Sequence, residues 1–128
     1  MLKGFVISIL LFVPAAVQGA GAPWQALYEP LDARQLPCRV MKPINLAAGK
    51  KYPVIVSLHG AGGKGSENRK QLKPWNGQLA EKERRTKFPC YVVAPQAAGL
   101  WNAQHLKQIK EIIKGLPAAD MDRIYILG

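Results

Sequence analysis

The run whose residue types could do chemistry is His59-Gly60-Ala61-Gly62-Gly63-Lys64-Gly65-Ser66-Glu67-Asn68, with four glycines among residues 60–65. Glycines let a chain turn sharply and bring bare N–H groups close to a ligand. Three chemistries use such a loop. Residues 60–65 match the G-x-G-x-x-G of a dinucleotide site, which also needs a helix opening at the third glycine and an acid about twenty residues on. Residues 66–74 carry no amphipathic stripe, and the following apolar run ends Ala94-Pro95-Gln96 without a carboxylate. A phosphate-binding P-loop needs Ser or Thr after its lysine, whereas Lys64 is followed by Gly65. The third chemistry is acyl transfer. Its tetrahedral intermediate puts negative charge on the former carbonyl oxygen, and each preset backbone N–H aimed there is worth roughly 3–4 kcal/mol. A His-Gly-x-Gly turn closing a central strand can supply that donor. A tight turn without chemistry is the plainer alternative.

Such a loop works only if a rigid element presents it. Residues 54–58 form a short apolar, β-rich run led in by Pro53. That is how a buried strand of an α/β protein reads, and ligands gather at the carboxyl ends of such strands. Upstream, residues 23–37 mix apolar and polar residues around three prolines and read as an irregular lead-in. Residues 36–41 are a candidate edge strand, and residues 43–51 a turn-rich connection. Downstream, residues 73–76 read as loop because Pro74 would break a helix begun earlier. Residues 77–86 read as a helix with Leu79 and Ala80 inward, and residues 90–94 as a second buried strand stopped by Pro95. Leu106, Ile109, Ile113 and Leu116 step by three, four and three, with Lys107, Lys110, Glu111 and Lys114 opposite. This is an amphipathic helix, ended by Gly115 and Pro117. Asp120-Met121-Asp122 reads as a turn into a third strand, residues 123–127. The alternation predicts an α/β fold, a mostly parallel sheet with flanking helices.

The remaining features bound the setting. Residues 1–22 have one lysine, an apolar stretch over residues 5–17 and a small-residue end, the layout of a secretory signal peptide. The apolar stretch is shorter than the roughly 20 residues of a spanning helix, so no stable membrane anchor is expected. The expected location is secreted or periplasmic, with residues 23–128 as the folded part. The net charge of +10 invites a nucleic-acid partner. The bases are scattered, however, and neither an aromatic-studded RNA motif nor a zinc-ligand spacing accompanies them, so a solvated basic surface is expected, with no nucleic acid and no metal. Cys38 and Cys90 are equally compatible with a disulfide and with two small buried thiols.

Four motifs in order bring a family into view: His59-Gly60-Ala61-Gly62-Gly63, Gly65-Ser66-Glu67-Asn68, Val93-Ala94-Pro95-Gln96 and Asp122-Arg123-Ile124-Tyr125-Ile126-Leu127-Gly128. Together they resemble the α/β-hydrolase fold, in its secreted esterase and peptidase-like branch akin to dienelactone hydrolases, feruloyl esterases and polyhydroxybutyrate depolymerases. The resemblance implies strands in the order 1-2-4-3-5-6-7-8, no cofactor, and a small-molecule or polysaccharide-linked ester as substrate. It implies that the Ala61 N–H, with Gly62 as the neighbouring candidate, is the oxyanion donor. His59 would brace the loop, with Gly60 and Gly63 beside the substrate, and Trp101 would line the acyl or alcohol pocket or simply plug it. His105 is expected on the surface. In this family the strand ending Tyr125-Ile126-Leu127-Gly128 leads into the G-x-S-x-G nucleophile elbow. Gly128 would be its first glycine. The serines are Ser8, Ser57 and Ser66, none placed in an elbow. The expectation is therefore an amino-terminal half of a serine esterase, inactive alone because nucleophile, acid and base are missing. Its last strand would expose an apolar edge inviting self-association. The competing expectation is a non-catalytic binding or pseudo-enzyme chain.

Overall fold

The computed structural model describes residues 23–31 and 36–128, and the leader expected over residues 1–22 lies outside them. Five strands form one sheet: β1 (Glu29–Leu31), β2 (Cys38–Met41), β3 (Tyr52–Ser57), β4 (Tyr91–Pro95) and β5 (Ala119–Leu127). Three helices flank it: α1 (Pro74–Leu79), α2 (Lys82–Lys87) and α3 (Ala103–Lys114). The spatial order is β1-β2-β4-β3-β5, the first five places of the expected topology. β3 pairs in parallel with both β4 and β5, while β1 and β2 extend the sheet as an antiparallel edge. The α/β architecture is as expected, with a sheet more mixed than the sequence suggested.

Side-chain alternation divides the core between two faces. Along β4, every residue is buried. Tyr91 and Val93 join the α3 side with Val54, Val56, Ile109 and Ile113, whereas Val92 and Ala94 join Tyr28, Met41 and Ala80 on the other. A strand buried on both faces has no polar side to show, which is why β4 reads as a continuous apolar run. α3 starts where the Asn102 side chain accepts the His105 N–H at 3.0 Å, an N-cap bond. Ile109 and Ile113 are its buried stripe; Leu106, expected to be inward, is 48% exposed.

Several expectations need correction. The helix expected over residues 77–86 is two six-residue helices, and the first starts at Pro74. Proline suits a first helical position because its missing N–H would be unpaired there anyway. β1 and a short 3-10 turn (Trp24–Leu27) occupy the lead-in read as irregular. The Asp120-Met121-Asp122 turn lies inside β5 as a bulge, where the register with β3 slips between Tyr52 and Val54. Asp120 holds it by accepting from Asp122 N–H at 3.0 Å and Arg123 Nε at 2.7 Å. Cys38 and Cys90 are free thiols. They pack into cores on opposite faces of the sheet, and burial pushes the Cys38 thiol up to about 12. No helix among the described residues is long and apolar enough to cross a membrane.

Candidate functional site

The glycine loop leaves the carboxyl end of β3 as a single 3-10 turn, Ala61–Gly63. Gly63 N–H closes it on Gly60 O at 3.0 Å. His59 lies beneath, 4% exposed. Its Nε2 faces the Ala97 N–H at 3.0 Å. A backbone N–H can only donate, so Nε2 accepts and the ring proton sits on Nδ1. Nδ1 then donates to Gly60 O at 2.7 Å. A Cβ at Gly63 would overlap the His59 side chain, so the turn closes on the imidazole only with glycine there.

These bonds decide what the turn presents. In a trans peptide the C=O and N–H point in opposite directions. The Gly60 carbonyl is drawn inward by His59 and Gly63, which turns the Ala61 N–H outward. Among the described residues, the N–H groups of Ala61 and Gly62 have no protein acceptor, and both residues are exposed. The turn can therefore donate to an oxygen brought against it.

Trp101 stands next to the turn. Its Nε1 donates to His59 O at 3.0 Å, and its ring lies 4.7 Å from the imidazole. His59, Gly60, Ala61, Lys64, Gly99, Leu100 and Trp101 line a shallow concavity of about 120 Å³. The fold thus gathers His59, Gly60, Ala61 and Trp101 on one hollow. Gly62 lies nearer Lys73, and Gly63 is buried under the turn; neither lines it. His105, expected on the surface, is half-buried with its ring edge-on to Trp101 at 5.5 Å. Larger hollows lie away from the loop, beside Trp24 and Pro74 and between Lys51 and Tyr125.

The end of β5 comes to the same place. Leu58 N–H donates to Leu127 O at 2.8 Å, and a Cβ on Gly128 would sit 3.0 Å from Leu58 O. Gly128 therefore lies alongside the start of the glycine loop. Ser57 is otherwise engaged, its buried Oγ accepting from Trp75 Nε1 at 2.9 Å and Asn76 Nδ2 at 3.0 Å. Among the described residues, no serine hydroxyl bonds a histidine, and no cluster of His, Cys, Asp and Glu could hold a metal ion.

Sequence reasoning missed the polar network under the loop. Gln71 and Gln96 are fully buried, and Gln71 Nε2 reaches Asn68 Oδ1 at 2.5 Å and Ala94 O at 3.3 Å. Asn68 Nδ2 donates to Cys38 O at 3.1 Å, and Arg39 Nε donates to Asn68 O at 2.6 Å. Glu67 accepts from its own N–H, from Gln96 Nε2 and from the Lys70 N–H, which holds its carboxyl down at about 2. The only advance sign was Pro95-Gln96 directly after a buried strand.

No family model and no curated protein matches this chain. Among solved structures it is similar to one described as the crystal structure of a thermostable esterase, with a TM-score of 0.62 and 29% identity. The match covers 71% of this chain and 29% of that one, so the chain spans less than a third of that protein's length. Its mixed five-stranded sheet and flanking helices form an α/β fold similar to that esterase's, consistent with an α/β-hydrolase-like core.

Proposed function

We propose that this chain is the exported amino-terminal part of a serine hydrolase that cleaves carboxylic esters through an acyl-enzyme. The observation that carries the reading is the outward Ala61 N–H on the loop that leaves β3, next to which the parallel strand β5 ends with Gly128 against Leu58. The likeness to an esterase of which this chain spans 29% supports it, leaving length for nucleophile, acid and base elsewhere. In this reading Gly128 opens the G-x-S-x-G elbow. The serine oxygen attacks the ester carbonyl and forms the C–O bond of a tetrahedral adduct, while its proton passes to the triad histidine. The adduct's oxyanion takes the Ala61 N–H, with Gly62 as its neighbour. Collapse expels the alcohol, protonated by that histidine, and water then releases the acid by the same route. Trp101 walls the acyl or alcohol side. The substrate is a small-molecule or polysaccharide-linked ester, no cofactor takes part, and residues 1–22 direct export and are removed.

The test is the reading frame after codon 128, followed by labelling of its product with a fluorophosphonate. The expected result is a frame continuing x-Ser-x-Gly, with the label on that serine. A stop codon there with no labelling would favour a non-catalytic binding or pseudo-enzyme chain.

A further inference from the structure

The geometry points to Gln96 as a positioning residue that sets the direction of the oxyanion donor without touching the substrate. This rests on the oxyanion reading of Ala61. Gln96 sits just past β4, fully buried, with its backbone N–H on Pro37 O at 2.8 Å. Its Nε2 donates to Gly63 O at 3.0 Å and to Glu67 Oε1 at 3.0 Å, and its Oε1 accepts the Asn68 N–H at 2.6 Å. A carbonyl can only accept and a backbone N–H can only donate, so these partners fix which end of the amide is which. One side chain therefore holds the loop at both ends, at the last residue of the turn that Ala61 opens and at Asn68.

The held segment does not rest in ordinary backbone geometry. Gly65 has φ of +153° and Asn68 has φ of 55°. The neighbouring Ala97 supports the same loop through its backbone, donating to His59 Nε2 and accepting from Gly65 N–H at 3.1 Å. Those bonds survive loss of the Gln96 side chain; the bonds of the Gln96 amide do not. Removing the amide leaves Gly63 O and Asn68 N–H without their partners, and buried polar groups are not left unpaired cheaply. The segment would turn to find new partners. Gly63 is hydrogen-bonded to Gly60 O, so that rotation reaches the peptide carrying the Ala61 N–H. Gln96 does not line the concavity, which separates its role from that of a binding residue.

The test compares Q96A and Q96E in the full-length gene product containing this chain, by aryl-ester kinetics and by backbone amide exchange. In Q96A, Asn68 N–H is expected to lose protection while Val56 and Val93 keep theirs. A donor misplaced by about 1 Å can cost about 10²-fold, so kcat should fall by that order with KM within about twofold. In Q96E the new carboxylate cannot donate to Gly63 O and lies against Glu67, with Lys70 beside Glu67, Arg39 on Asn68 O, and His59 and Lys73 across the loop. Its kcat relative to the parent's at the same pH should rise as pH is lowered and the new acid regains a proton to donate, whereas a loss unrelated to that proton would leave the ratio flat. Retained protection at Asn68 in Q96A, or parental kcat in both variants, overturns the inference. Should Q96A fail to fold, the Q96E ratio decides, a flat one counting against the inference. Should the parent protein hydrolyse no ester, the hydrolase reading falls, and the exchange arm still decides whether Gln96 sets the loop.

Discussion

β3 has two neighbours, and its two flanks are built differently. On the β4 flank the strand end is tied across by side chains: His59 to Ala97, and Gln96 to Gly63 and Asn68. On the β5 flank the strands are joined by their backbone ladder and, at the end away from the loop, by Arg123 Nη2 donating to Lys51 O at 3.1 Å, and β5 turns its other edge outward with Ile126 68% exposed. Among the described residues, no strand pairs with that edge. The candidate site lies on the seam between a clamped wall and an open one. The clamped wall can preset a backbone donor, and in the proposed reading the nucleophile elbow would follow the open one.

The comparison breaks most sharply at Ala61. Ala61→Pro removes the outward N–H, and Gly60, at φ −87° and ψ −162°, already holds the extended backbone a residue before proline adopts. In the full-length protein kcat should fall by about 10²–10³ with the fold intact. An unchanged kcat would place the oxyanion donor elsewhere. Next in size is Ile113→Ala, which removes a buried side chain under the sheet. It should cost about 2–5 kcal/mol in denaturant unfolding, and a loss below about 1 kcal/mol would mean that α3 is not packed as described.

Glu67 sharpens the clamped side through pH. Its folded carboxyl titrates near 2, below its ordinary 4.5, so its contribution is fully present above about pH 4.5 and is lost as pH falls towards 2. Glu67→Gln should therefore flatten the acid limb of the stability profile in that window. Identical acid limbs would remove the carboxylate from the clamp. The smallest effect on folding is expected at the open edge. Ile126→Lys should change stability by no more than about 0.5 kcal/mol. Residues 23–128 alone should self-associate through the apolar edge, and this charge should raise the monomer fraction in light scattering. Equal fractions in parent and variant would mean that β5 is not the contact.

What was legible in the sequence follows the same division. β3, β4 and α3 announced themselves because an apolar run and a three-four step are local signals. β1 did not, since Glu29-Pro30-Leu31 is short and carries a proline that only an edge tolerates. Pro74 misled because the same ring that breaks a helix interior suits a helix start. Leu106 kept the period but overhangs the buried stripe. At the site, the glycines and His59 were readable as a turn with spare N–H groups. The network of Gln96, Asn68 and Gln71 was not, because apart from the Gln71–Asn68 bond its partners lie far away in sequence and no spacing rule encodes them.

The seam also has an order in time. The bond from Gln96 to Gly63 closes a loop of 33 residues, whereas Leu58 reaches Leu127 across a loop about twice as long. Each doubling of loop length adds about 0.6 kcal/mol of closure entropy, and on a growing chain the far strand is also made later. The glycine turn can therefore be fastened to β4 before β5 exists to lie beside it. Pulse-labelled exchange during refolding would then find the Asn68 N–H protected ahead of the Leu58 N–H, and the reverse order would rule this sequence of events out.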